Sequence, residues 1–159
     1  SPGFRWGTSL LPGQPITREW LLDMTATTYS YATLTDMKGE MLKTVLEDVA
    51  DNLFNPDPYY QQGGDMVRVG GLSYACDPLA EMGQRISDMR LKGQPIDPAK
   101  TYKVAGWAPV AEDAAKAGNP MVWDLIEQWL KARGGKVSPR QPNAPKLTGA
   151  VLPNPGYAG

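Results

Sequence analysis

Gly39-Glu40-Met41-Leu42-Lys43-Thr44-Val45-Leu46-Glu47-Asp48-Val49-Ala50-Asp51-Asn52-Leu53-Phe54-Asn55-Pro56-Asp57-Pro58 is the stretch on which the fold turns. Leu42, Val45, Leu46, Val49 and Leu53 recur at the spacing of one helical face, which predicts a helix over 39–53. Glu47, Asp48 and Asp51 read as its solvated side. Asn55-Pro56-Asp57-Pro58 must end it, because proline removes a donor and restricts the residue before it. Upstream, Thr17 is placed to cap a short helix through Met24, and Ala32–Met37 reads as a strand with Leu34 pointing inward. Downstream, alternation over Met66–Cys76 is interrupted at Gly70-Gly71. Arg85–Leu91 reads as a further strand, Lys92–Pro95 as a turn, and Tyr102–Trp107 as another strand. Asn119 and Pro120 suit the start of a last helix, with Trp123, Ile126, Trp129 and Leu130 as its apolar stripe and Gly134-Gly135 as its stop. The order predicts an α+β fold, a mixed sheet with two to three packed helices.

Composition narrows the chemistry. The 159 residues carry 16 basic and 17 acidic side chains, a net charge of -1 that gives no general attraction to nucleic acid. No apolar run approaches the roughly 20 residues of a membrane span. The chain has no histidine and one cysteine, Cys76. That removes the commonest general base and metal ligand, and with them any disulfide, Cys-x-x-Cys pair or thiolate zinc site. Any catalysis by this chain alone falls to carboxylates, Lys, Tyr or Ser. The opening Ser1-Pro2-Gly3-Phe4-Arg5-Trp6-Gly7 has no initiator Met and no signal-peptide pattern, which favours a preceding partner domain. From Ser138 onward the chain is rich in Pro and Gly and reads as a surface tail over 138–159, set against a domain over 1–137.

Several residues are candidates for contact with a ligand. Arg5 lies between two aromatics and among glycines; it suits an oxyanion and equally a surface guanidinium stacked on Trp6. Tyr29 and Tyr31 suit either a platform or the cover of a sheet edge. Tyr59-Tyr60 with Gln61, Gln62, Gly63, Gly64 and Asp65 form a loop of aromatics, amides and glycines, of the kind that carries contacts. Trp107, between Gly106 and Pro109, fits a cleft or the core. Cys76 reads as a small buried hydrophobe. The glycines of 63–71 have neither the dinucleotide-binding spacing nor the ending of a phosphate loop.

The run 46–71, together with Phe4-Arg5-Trp6-Gly7, Leu11–Glu19 and Tyr102–Trp107, resembles the C-terminal domain of the SoxB thiosulfohydrolases of bacterial sulfur oxidation. More distantly, the order of elements resembles the C-terminal domain of the 5'-nucleotidases. The resemblance implies a two-domain periplasmic hydrolase, manganese-dependent, whose N-terminal metallophosphoesterase domain holds two metal ions. It implies that this chain is the substrate-recognition part, inactive alone, with no catalytic or metal-binding residue of its own. The reaction implied is hydrolysis of sulfate from a cysteine S-thiosulfonate on the glycine-rich arm of a sulfur carrier protein during thiosulfate oxidation. On this likeness Arg5 matches the arginine that contacts the substrate anion, although Gly-Phe-Arg replaces the nucleotidase Gly-Gly-Ile-Arg. Tyr29 lies near the aromatic that stacks on the nucleotide base, and Trp107 in the strand leading to the second one. The nucleotidase Asn-Gly-Gly-Asp-Gly-Phe loop is missing, which argues against a nucleotide. Two other readings fit the same residues: half of a periplasmic 5'-nucleotidase, and a non-catalytic module that docks the carrier.

Overall fold

The computed structural model describes residues 9–25, 30–63, 66, 69–106, 118–138 and 143–149. Its residues fall into two units, one of 1–36 with 103–140 and one of 37–102 with 141–159.

In the first unit, α1 (Arg18–Met24) starts at Thr17, whose hydroxyl accepts the Trp20 amide at 3.4 Å. α1 packs against α3 (Val122–Ala132), and Arg18 ties the two by ion pairs to Asp124, at 2.7 Å, and to Glu127. α3 begins at Val122 rather than beside Asn119 and Pro120 as the capping pattern suggested. The reason is pairing: the Ala32 amide donates to the Pro120 carbonyl at 2.9 Å and the Val122 amide to Ser30 at 2.8 Å, which keeps the chain extended up to Met121. Trp129 is half-exposed instead of buried, and Arg133 stacks over its ring at 4.5 Å. β1 (Thr33–Lys38) pairs with β5 (Thr101–Gly106). Leu34 is 67% exposed, against the expectation, while Thr33 and Met37 are buried. A strand alternates with a period of two, so placing the inner face one residue off reverses every side chain.

The second unit holds the core. α2 (Gly39–Phe54) lies against a four-stranded sheet in the order β4-β3-β2-β6, formed by β2 (Leu72–Cys76), β3 (Ile86–Leu91), β4 (Gln94–Pro95) and β6 (Lys146–Leu147). β2 and β3 are antiparallel, with Cys76 opposite Ile86 and Leu72 opposite Leu91. Their register shifts between Ser73 and Ala75, and Asp88 there takes φ 46°. Lys92 and Gly93, both at positive φ, make the two-residue turn between β3 and β4. Gly70-Gly71 precedes β2 rather than interrupting it. Leu46 and Ala50 of α2 meet Tyr74, Cys76 and Ile86, with Phe54, Leu72 and Met89 around them. The buried face of α2 therefore runs through Leu46, Glu47 and Ala50, rotated from the stripe predicted by Leu42, Val45, Val49 and Leu53. Within the Pro/Gly-rich segment, β6 adds to β2 in parallel, so this part of it is sheet. Tyr74 is buried and its hydroxyl is pushed up to about 12 by that burial and by Cys76. Burial also pushes the Cys76 thiol up, with the Glu47 charge adding to it.

Candidate functional site

The end of α2 launches the loop that the sequence singles out. Asn55 closes the helix by donating its amide to the Asp51 carbonyl at 3.0 Å, and its Nδ2 donates to Asp51 Oδ2 at 2.8 Å. The Asp57 amide donates to Asn55 Oδ1 at 3.0 Å. Asp57 then caps a short 3-10 turn, Pro58–Tyr60, by accepting the Tyr59 amide on Oδ1 at 2.9 Å. This turn presents Tyr59 and Tyr60 to solvent, 95% and 65% exposed. Gln61 donates from Nε2 to the Asn55 carbonyl at 2.7 Å, so half of its amide is committed within the loop. The Gly63 amide returns to the Asn52 carbonyl at 3.1 Å, with Gly63 at φ 78°. Gln61, Gln62 and Gly63 are all exposed.

Of the residues proposed to touch substrate, these three are therefore brought together on one anchored loop. Arg5, Tyr29, Gly64, Asp65 and Trp107 lie outside the described residues. Tyr31 is half-exposed and pairs through its backbone with Met121.

Behind the loop sits a polar network that the sequence reading misplaced. Glu47 and Asp51 were assigned to solvent, yet Glu47 is 4% exposed and Asp51 is paired with Arg85, itself 2% exposed. Glu47 accepts the amides of Ile86 at 2.8 Å, Gly83 at 2.9 Å and Arg85 at 3.3 Å, and Lys43 Nζ at 3.1 Å. Lys43 also donates to the Gly83 carbonyl at 2.6 Å. Burial pushes the Glu47 carboxyl up, but the Ile86 amide, Lys43 and the Gly83 amide together hold it below its ordinary value. Arg85 donates from Nη1 to Asp51 Oδ1 at 2.6 Å and from Nη2 to the Phe54 carbonyl at 3.3 Å. Arg85 first, then Asn55, hold the Asp51 carboxyl below its ordinary value. The Arg85 Nε is buried without a partner. A signal was available: Lys43, Glu47, Asp51 and Asn55 repeat every four residues along one line of α2, beside the buried Leu46 and Ala50. An open cleft of about 410 Å³ lies over this network, walled by Phe54, Pro56, Pro78, Leu79 and Met82. Asp48, by contrast, is exposed as expected.

Among the described residues, no three His, Cys, Asp or Glu side chains converge as metal ligands. Nor is any helix among them long and apolar enough to cross a membrane.

The model of the 5'-nucleotidase C-terminal domain family matches residues 1–117. The structure of the sulfate thiohydrolase SoxB of Thermus thermophilus, in complex with glycerol, is similar at TM-score 0.77 and 38% identity, covering 97% of this chain and 29% of that one. A Staphylococcus aureus protein described as a 5'-nucleotidase, in complex with alpha-ketoglutarate, is similar in fold at TM-score 0.58 and 18% identity, covering 84% of this chain and 30% of that one. The chain thus spans about a third or less of the length of either protein. Nothing among the curated proteins matches. With its mixed α+β architecture and a family match over most of its length, the chain belongs to the 5'-nucleotidase C-terminal domain family.

Proposed function

We propose that this domain is the substrate-recognition half of a two-domain, periplasmic hydrolase that removes sulfate from a cysteine S-thiosulfonate on a carrier protein's glycine-rich arm. The observation that carries this reading is the 38% identity to SoxB over 97% of the chain, against 18% to the protein described as a 5'-nucleotidase. In the reaction the bond between the carrier's outer sulfur and the sulfonate breaks. The electron pair stays on the carrier's sulfur, and the oxygen of water becomes the fourth oxygen of sulfate. Arg5 holds the sulfonate through charge-assisted hydrogen bonds. Tyr29, Trp107 and the residues from Gln61 to Asp65 are those this reading gives to contact with the arm, since glycine backbone packs closely on ring faces and amides.

In this reading the two manganese ions belong to the other domain. When bound there, they supply Lewis acidity toward the sulfonate. The part of this chain is to hold the anion and the arm in line with that chemistry.

The test is hydrolysis by the whole protein, with a glycine-rich peptide ending in an S-thiosulfonated cysteine and with AMP in parallel. Sulfate release from the peptide without phosphate release from AMP is expected. Phosphate release from AMP alone would make the domain half of a nucleotidase, and silence toward both would leave a docking module.

A further inference from the structure

The structure assigns to Arg85, Asp51 and Asn55 a positioning role: together they fix the Gln61–Gly63 segment in the conformation that meets substrate. The proposal rests on the reading of that segment given above. Residues 56–63 are all exposed, so no side-chain burial holds this stretch in place. Hydrogen bonds must set its shape, and they run in series. Arg85 at the entry to β3 grips Asp51 at 2.6 Å and the Phe54 carbonyl at 3.3 Å, fixing the last turn of α2 from outside the helix. The other oxygen of Asp51 accepts Asn55 Nδ2 at 2.8 Å. Asn55 then holds the loop at two points, accepting the Asp57 amide on Oδ1 at 3.0 Å and Gln61 Nε2 on its carbonyl at 2.7 Å. The Gly63 amide closes the segment onto Asn52, in the same turn of helix, at 3.1 Å. Arg85 is nine-tenths buried and far along the chain from the loop, so it acts through Asp51 and Asn55 and not by touching substrate.

Asp51→Asn removes the acceptor for Asn55 Nδ2 while leaving an oxygen for Arg85, and Asn55→Ala removes the next link. In the whole protein, each variant should speed amide exchange at Asp57 and Gly63 by about tenfold, the worth of one or two net hydrogen bonds. The Ile86 amide, held by Glu47, should keep its protection. Because the links are in series, the double variant should exchange no faster at these amides than Asn55→Ala alone. In kinetics, KM for the arm peptide should rise several-fold with kcat held, while a small thiosulfonate without an arm reacts as before. Arg85→Lys should show the same pattern where it folds, and the two milder variants decide the matter where it does not. Unchanged loop amides, or additive effects with Ile86 also losing protection, would overturn the proposal. Loosened loop amides with an unchanged KM for the arm peptide would instead overturn the placing of this loop against substrate.

Discussion

Glu47 Oε1 accepts the backbone amide of Ile86 at 2.8 Å, so a carboxylate in the middle of α2 receives the first amide of β3. With the Gly83 and Arg85 amides on its other oxygen, Glu47 does for a strand entry what a capping side chain does for a helix. Glu47→Gln keeps the volume but turns one oxygen into a donor facing those amides. We expect a loss of about 3 kcal/mol, in the range for breaking a buried charged network, read as a lower urea midpoint at unchanged slope. A loss below about 1 kcal/mol would show that the amides find other partners.

The same network contributes to stability that acid removes. Glu47 and Asp51 both titrate lower in the folded chain than when unfolded. Their stabilisation is therefore complete above the unfolded carboxylate range, about pH 4 to 5, and is lost as pH falls through the folded values. Urea midpoints taken from pH 7 downward should stay level and then drop below that range. The drop should be shallower in Glu47→Gln, which has one fewer proton to take up.

Gly39 opens α2 against the turn before β5. A Cβ added there would stand 2.2 Å from the Asp97 carbonyl oxygen and 2.7 Å from Ile96 Cγ2. The backbone is pinned by Gly39 donating to the Lys100 carbonyl and Glu40 to that of Pro98, both at 3.0 Å, so it cannot retreat cheaply. Gly39→Ala should destabilise by about 2 to 3 kcal/mol, as overpacking does, despite alanine's better helix propensity. A stabilised variant in thermal melts would contradict this.

Tyr59 and Tyr60 bury little of themselves in the fold. Replacing both by alanine should leave stability within about 0.5 kcal/mol. If the loop meets the carrier, the same change should weaken carrier binding by about 1 to 2 kcal/mol, as loss of exposed aromatic anchors does. Titration calorimetry of the whole protein with the carrier separates these outcomes.

Arg5→Met tests the anion contact. If the guanidinium meets developing charge on the sulfonate, kcat/KM for the thiosulfonated peptide should fall by about 2 to 4 kcal/mol of transition-state stabilisation. Unchanged turnover would remove Arg5 from the site.

Helix ends and strand positions were legible in the sequence wherever a residue's own chemistry decides them. Thr17 capped, Asn55-Pro56 stopped α2, and Lys92-Gly93 turned the chain. The sequence failed where distant backbone decides. Asn119-Pro120 looked like a helix start, but strand-type bonds from Ala32 and to Ser30 hold the chain open there. Glu47 looked solvated because nothing local shows that Gly83, Arg85 and Ile86 bring three amides to it. For the site, composition singles out the Tyr59–Asp65 loop as a candidate contact surface, while the hydrogen bonds that shape its described part come from Asn52, Asn55 and Asp57. Arg85, just before β3, reads from the sequence only as a strand residue.

Val69 bridges Asn143, the Asn143 side chain donates to the Leu72 carbonyl at 2.7 Å, Lys146–Leu147 pair with Ala75–Cys76, and the Thr148 amide donates to Cys76 at 2.9 Å. Gly149 then packs against the Asp77 carboxylate at φ 79°, a backbone conformation that favours glycine. Without these residues β2, which carries the most buried side chains of the sheet, would present a row of open carbonyls and amides to any passing chain. Within what composition marks as a surface tail, the described residues 143–149 are thus a selvedge: they finish the cloth so that one molecule does not unravel into the next.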